Sequence, residues 1–272
     1  MKRHRGSFSA LGIGIRAPSQ TTPEASARIK RAEKVFSLVA DPLAEYWISS
    51  LNQNTESLGA LYSVGKDRRD TYREMVERIV DAVRAGLRVC AVAYGHPGVA
   101  AYPLHESVRR LRAEGFDAEM LPGISAEDCL FADLGIDPIV GGCRSYEATD
   151  FLVHSRGVDT AGNLILWQVG AIAETGFKLE RGAWNPHGIA VLTEVLLETY
   201  PPNHEVIVYE AAQLPVCEAL IQRVALASLP EAHITPMSTL FVPPLSKPAV
   251  DQTMLRRLGM AKKVVARAGG SG

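Results

Sequence analysis

The sequence predicts an α/β chain whose first half is a parallel sheet covered by helices, and two observations carry that expectation. Between residues 9 and 121, short apolar runs of strand length alternate with amphipathic stretches of helical period. Strand–helix–strand alternation of this kind places parallel strands between helices on both faces. Beyond Pro122 the texture changes to more widely spaced strands and short helices, which predicts a boundary at residues 121–123 and a second unit after it.

The elements follow in order. Residues 9–15 read as an apolar strand ending in Gly12-x-Gly14, and residues 23–33 as a helix with Thr22 as N-cap and Pro23 at the first helical position. Residues 35–40 form a continuous apolar run that Asp41-Pro42 stops. Over 71–85, Met75, Val76, Ile79, Val80 and Val83 recur at helical spacing and Gly86 ends the helix. Residues 89–94 read as a buried strand running into Gly95-His96-Pro97-Gly98, followed by a helix over 105–114 and a strand at 119–121. In the second unit, Ser125 caps a helix over 125–134 with Asp128 three residues on, the capping-box spacing. Strands are expected at 164–169, 206–209 and 239–242, and helices at 186–199 and 216–224. From Pro243 the chain is rich in Pro, Lys and Arg and reads as a mobile tail.

Composition narrows the function classes. The 272 residues carry a net charge of −1, so no strong basic field draws the chain to nucleic acid or to an anionic membrane. Cys90, Cys129, Cys143 and Cys217 are widely spread without a C-x-x-C pair, which is neither metal spacing nor a disulfide framework. They read as ordinary thiols of a reducing compartment. The opening MKRHRGSFSALGIGI has a basic flank, but its apolar stretch is short and broken by Gly12 and Gly14. It reads as neither signal peptide nor membrane span, and the expected location is the cytoplasm.

Three stretches invite a chemical reading. Residues 12–17 fit G-x-G-x-x-A, and Asp41 closes the next strand where a ribose-binding acid would sit. A dinucleotide site needs a helix that starts at that turn, however, and Pro18 with residues 19–22 delays it. The preferred reading is a strand end whose glycines make room for a neighbouring backbone. The loop Tyr94-Gly95-His96-Pro97-Gly98-Val99 lies where α/β ligands bind, yet it lacks the Lys and Ser/Thr of a phosphate cradle. It suits an uncharged ligand such as an adenosine, with His96 by itself a turn residue. Tyr62, Arg68 and Tyr72 form the third set, with Arg68 in a polar loop and Tyr72 opening a helix. On residue type alone they are a solvated arginine and two tyrosines at a core edge.

Family resemblance sharpens these readings. The strings CAVAYGHPGVAAYPLH, MLPGISAEDCLFADLGIDP and GCRSYEATDFLVHSR resemble the tetrapyrrole-methylase superfamily of S-adenosylmethionine-dependent enzymes. Within it, the chain is similar to the borosin peptide backbone α-N-methyltransferases, from GIGI through LFVPPLSKPAVDQTMLRRLG. The resemblance implies two α/β domains with S-adenosylmethionine in the cleft between them: residues 1–121, 122–245, and a tail over 246–272. It implies cofactor contacts at Tyr94, His96, Val99, Ala100, Ser125, Ala126, Gln168, Ala211, Ser238 and Thr239. Catalysis is assigned by resemblance to Tyr62, Arg68 and Tyr72, with Tyr94 orienting the acceptor. Phe is usual where Ala100 stands, and a further tyrosine is often found where Leu61 stands.

The implied reaction is methylation of backbone amides, yielding S-adenosylhomocysteine, without a metal. Arg68 would stabilise charge on the peptide oxygen. Tyr72 or Tyr62, its phenol pKa lowered by the guanidinium, would take the amide proton. The implied assembly is a homodimer. The stretch after Gly259 is short, with Val264-Val265 its only apolar pair, so the expected acceptor is a separate precursor peptide methylated in trans within a hetero-oligomer. The rival expectation is a methyltransferase acting on a small molecule such as a porphyrinoid.

Overall fold

The computed structural model describes residues 6–39, 41–178 and 182–260. Met1–Arg5, Ala40 at the end of the expected second strand, and the end of the expected tail with Val264-Val265 lie outside the described residues.

The first sheet has five strands, all parallel, in the order β3-β2-β4-β1-β5. They are β1 (Ser7–Gly12), β2 (Lys34–Leu38), β3 (Thr55–Ser57), β4 (Arg88–Ala93) and β5 (Asp117–Leu121). Helices α1 (Pro23–Arg31) and α2 (Pro42–Leu51) cover one face through Ile29, Ala44 and Ile48. On the other face lie α3 (Arg68–Arg84) and α4 (Tyr102–Ala113). The five buried apolar residues of α3 are those the helical spacing singled out, each contributing about 1.5–3 kcal/mol on full burial. Thr22 Oγ1 accepts from the Ala25 N–H at 3.1 Å and starts α1 as predicted.

The second sheet has the order β6-β7-β10-β8-β9. Its strands are β6 (Cys143–Glu147), β7 (Asn163–Trp167), β8 (Glu205–Glu210), β9 (Leu220–Ala225) and β10 (Thr239–Val242). Only β6 and β7 are parallel; β10 runs antiparallel between β7 and β8, and β9 antiparallel along β8. One face packs on α6 (Ala148–Val153) and α7 (Pro186–Leu197), the other on α5 (Ala126–Leu134).

Three expectations are corrected. The helix expected over 216–224 is absent; β9 occupies its second half, with burial alternating along the strand. Val216, Leu220 and Val224 satisfy the helical period, but Leu220, Gln222 and Val224 equally satisfy the strand period, and the antiparallel ladder with β8 decides the contest. Arg68 opens α3 and does not lie in a loop, because Asp67 is the cap: its carboxylate accepts from the Arg69 N–H at 2.7 Å. Asp41-Pro42 both ends a strand and begins α2, the Asp41 carboxylate accepting from the Leu43 and Ala44 amides. Within the expected tail, Asp251 caps a short helix, α8 (Gln252–Arg257).

Candidate active site

The carboxyl ends of β4, β1 and β5 converge backbone on backbone. A Cβ on Gly12 would stand 2.4 Å from the Gly95 carbonyl oxygen and 3.0 Å from the Gly123 Cα, and one on Gly123 would stand 2.5 Å from the same oxygen. Gly95 donates its amide to the Gly14 oxygen at 2.8 Å. These glycines therefore let three loops interlock, the reading preferred from sequence, and α1 starts well past the turn that a dinucleotide would need.

Beside this junction a recess opens between the two sheets, with about 770 Å³ of empty space including its solvent-open mouth. Ile13, Ile15 and Val39 form apolar wall from the first domain; Ala211, Met237 and Thr239 come from the second. Its ionisable lining groups are the carboxylates of Asp41 and Glu210 and the phenols of Tyr94 and Tyr209. An apolar recess with two carboxylates suits a ligand that is partly apolar and carries positive charge.

A second group of side chains adjoins Tyr94. Arg68 and Tyr72 are four residues apart on one face of α3. Tyr62 stands edge-on to Tyr72 with ring centroids 6.4 Å apart, and Phe177 of the second domain packs against Tyr62 at 5.4 Å. The Arg68 guanidinium donates through Nη2 to the Glu174 carbonyl oxygen, and its backbone N–H donates to the Thr175 oxygen at 2.8 Å. Burial pushes the Tyr62 phenol well above the ordinary tyrosine value; Tyr72, by charge and hydrogen bond, and Tyr94 push it further, and the Arg68 cation opposes them weakly. Tyr94 titrates high for the same first reason, burial, with the charge of Tyr72 second. Its surface is 46% exposed, so one side of the ring opens on the recess that it lines while protein packs its other sides.

The sequence matches the tetrapyrrole (corrin/porphyrin) methylases across residues 7–229. The chain belongs to that family. Among curated proteins, it is 40% identical over 263 residues to a methyltransferase/ribosomally synthesized cyclic peptide gymnopeptides precursor of Gymnopus fusipes, an alignment covering 94% of this chain and 62% of that one. It is 40% identical over 257 residues to the corresponding omphalotin A precursor of Omphalotus olearius, covering 93% and 61%. A third, a type III borosin cyclic peptide precursor of Anomoporia bombycina, is 40% identical, covering 94% of this chain and 30% of the relative. The chain thus spans about three fifths of the first two relatives and less than a third of the last. The fold is shared with uroporphyrin-III-C-methyltransferase from Thermus thermophilus, with TM-score 0.62 and 19% identity over 88% of this chain and 93% of that one. Diphthine synthase shares it too, with TM-score 0.62 and 11% identity over 94% and 99%.

In this chain four of the ten residues expected at the cofactor, Tyr94, Ala126, Ala211 and Thr239, line the recess. The other six lie outside its lining. Ser125 and Ser238 are committed to neighbours. The Ser125 hydroxyl closes a capping box with Asp128, which places Ala126 at the start of α5. The buried Ser238 hydroxyl donates to Glu210 Oε1 at 2.5 Å. His96 accepts the Gly98 N–H on Nδ1 at 2.9 Å and so closes its own loop. Val99 is exposed on that loop. Ala100 and Gln168 carry positive φ, 50° and 59°, strained positions for residues with a Cβ. The structure also corrects the chemistry expected of Tyr62. Its pKa is raised, because desolvation of the phenolate outweighs the attraction of Arg68. Asp41 and Glu210, both in the recess, were missed as a pair. The available signal was position, since each lies beside the carboxyl end of a strand.

Proposed function

We propose that the chain transfers a methyl group from S-adenosylmethionine to backbone amide nitrogens of a peptide. The observation that carries this reading is the meeting of Arg68, Tyr62, Tyr72 and Tyr94 beside an acid-lined, largely apolar recess. The similarity to relatives whose names join a methyltransferase to a cyclic peptide precursor supports the choice of acceptor. Asp41 and Glu210 fit the ammonium and sulfonium charges of the cofactor, and Ile13, Ile15 and Val39 fit its nucleoside. Ser125 and Ser238 act by fixing the segments that present Ala126 and Thr239. His96, Val99, Ala100 and Gln168 complete the site from the strand-end loops.

When bound, S-adenosylmethionine supplies an electrophilic methyl on sulfur. An amide nitrogen is a poor partner for it, because its lone pair is delocalised into the carbonyl. Arg68, permanently cationic, offsets the negative charge that grows on the peptide oxygen. Tyr62, with its pKa raised, stays protonated, which leaves Tyr72 as the residue that takes the amide proton. Tyr94 holds the acceptor nitrogen toward the recess. The methyl would pass from sulfur to the amide nitrogen, and the alignment that these residues impose on the acceptor would supply much of the rate.

The assembly proposed is a cytoplasmic homodimer, divided at residue 121 into two domains with a tail over 246–272, and acting on a separate precursor. The purified protein is incubated with S-adenosylmethionine and an apolar synthetic peptide, and methyl increments are counted by mass spectrometry. Arg68→Ala is expected to lower turnover by on the order of 10²–10³-fold while binding the cofactor as the wild type does. Normal turnover by that variant refutes the role of Arg68. Increments on the chain itself, with none on the added peptide, refute action in trans. Turnover of a porphyrinoid and of no peptide refutes the acceptor.

A further inference from the structure

The carbonyl that receives Arg68 belongs to a segment of the second domain with an unusual approach. After a short 3-10 turn at Val169–Ala171, Ala173 adopts φ +60°, the left-handed region that alanine rarely enters. Beyond Ala173 the chain turns to meet the first domain. Besides the Glu174 and Thr175 oxygens that take the Arg68 side chain and amide, bridges join Asp67 to Gly176 and Val64 to Phe177. A strained residue persists only where its surroundings hold it, so something must fix Ala173.

The Glu174 N–H donates to the Ala171 oxygen at 3.1 Å and Asn185 Nδ2 to the Ile172 oxygen at 2.9 Å on either side of it, and the Ala173 amide itself is held by a hydroxyl of α6. Thr149 Oγ1 accepts the Ala173 N–H at 3.0 Å and donates to Glu147 Oε1 at 2.9 Å. The other oxygen of Glu147 accepts from the Asp150 N–H at 2.8 Å, capping α6. Ala148 and Phe151 of the same helix are buried in the second domain's core. The Thr149 hydroxyl is thus oriented by a carboxylate on one side and spends its lone pair on Ala173 on the other. A rigid path runs from the α6 cap through Thr149 and the strained Ala173 to the Glu174 carbonyl, and from there across the domain boundary to the guanidinium.

We infer that Thr149 is a positioning residue for Arg68, setting where the guanidinium stands relative to the acceptor amide without touching the reacting atoms. This rests on the reading that Arg68 stabilises the reaction's negative charge. A misplacement of about 1 Å costs on the order of 10²-fold in rate, so loss of the hydroxyl falls on turnover more than on binding.

The test compares Thr149→Val, which keeps the bulk, with Thr149→Ser, which keeps the hydroxyl. Two readouts are used on the full chain. The first needs no acceptor: nuclear magnetic resonance follows hydrogen exchange of the Ala173 amide and the restricted rotation of the Arg68 guanidinium. The second measures kcat and KM with an apolar synthetic peptide that the wild type methylates, together with cofactor affinity. Thr149→Val should exchange Ala173 faster, free the guanidinium, and lower kcat about 10- to 100-fold at unchanged KM and cofactor affinity; Thr149→Ser should behave as the wild type does. The inference is overturned if Thr149→Val keeps full kcat and a restrained guanidinium. It is also overturned if Thr149→Ser is impaired as severely, or if cofactor affinity falls and KM rises in step with the loss of kcat. Thr149→Ala takes the place of the valine variant if the latter does not fold. Arg68→Ala is run alongside. Full activity there removes the premise about Arg68, whereas an inactive Arg68→Ala beside a fully active Thr149→Val removes only the positioning role.

Discussion

Substituting Gly12 by alanine tests the junction on which the recess is built. The added Cβ would lie 2.4 Å from the Gly95 oxygen, 2.8 Å from the Pro97 Cδ and 3.0 Å from the Gly123 Cα. Carbon atoms pack best at about 3.5 Å or more, so the Pro97 contact alone asks for a shift of roughly 0.7 Å. The surrounding atoms are backbone or a proline ring, and no flexible side chain can swing aside. Overpacking of this kind costs about 1–3 kcal/mol, which for a chain of this size lowers the melting temperature by roughly 2–12 °C. The loop pushed aside follows directly on Tyr94, and displacement on that scale should cost turnover on the order of 10²-fold. Calorimetry with methyl-transfer assays gives both numbers, and Gly157→Ala serves as control because its Cβ would meet nothing within 4 Å. A Gly12→Ala protein that melts and turns over with the wild type would refute the interlocked junction.

Two further substitutions probe other supports. Ser125→Ala removes the hydroxyl that accepts from the Asp128 N–H at 3.1 Å and should cost about 0.5–2 kcal/mol in urea unfolding; an unchanged midpoint would contradict the capping box. Burial pushes the Cys90 thiol up to about 12 from 9.0. Its folded value is raised, so its contribution is complete below pH 9 and is lost as pH rises toward 12, on the order of 4 kcal/mol. Cys90→Ala should therefore lose less stability than the wild type between those values, and coincident stability profiles would disprove the burial argument. Tyr62 and Tyr209, also raised chiefly by burial, add an alkaline loss above pH 10 in both proteins.

Local chemistry made much of the fold legible. Thr22-Pro23 and Ser125 with Asp128 announce helix starts, and the structure uses each of them. Asp41-Pro42 carries an equally good cap-and-N1 signal, but after an apolar strand the pair reads as a stop before it reads as a start. Residues 216–224 failed because short apolar segments satisfy two periods at once, and the tie is broken by antiparallel pairing with the preceding strand β8, a contact that the residues of the segment do not themselves record. The site was legible in a narrower sense. Residue type and spacing left Arg68 as a solvated side chain and Tyr62 and Tyr72 at a core edge, and their grouping came from family resemblance alone. The bond between Arg68 and Glu174 joins positions 106 apart, and no local pattern announces it. The sign of the Tyr62 shift was unreadable for a related reason. Proximity to an arginine is visible in sequence, but the burial that outweighs it arises from both domains, Phe177 included.

The proposed reaction makes two electrostatic demands that oppose one another. A sulfonium donor is favoured by nearby carboxylates, whereas the charge growing on the acceptor oxygen is favoured by a cation, and at close range each arrangement weakens the other. The fold answers by assigning them to different elements. Asp41 at the start of α2 and Glu210 at the end of β8 bring negative charge to the recess wall. Arg68 stands on the first turn of α3, a helix end where a cation is intrinsically unfavourable, and is drawn instead to the Glu174 carbonyl of the other domain. Tyr94 lies between them, bordering the recess and close enough to couple electrostatically to Tyr72. With its pKa raised, Tyr94 stays neutral and bridges the two regions without adding a charge to either. The catalytic arrangement is therefore a property of the two domains together. Loosening the contact between residues 62–68 and 173–178 should harm the acceptor side first, because both carboxylates are fixed by elements of their own domain.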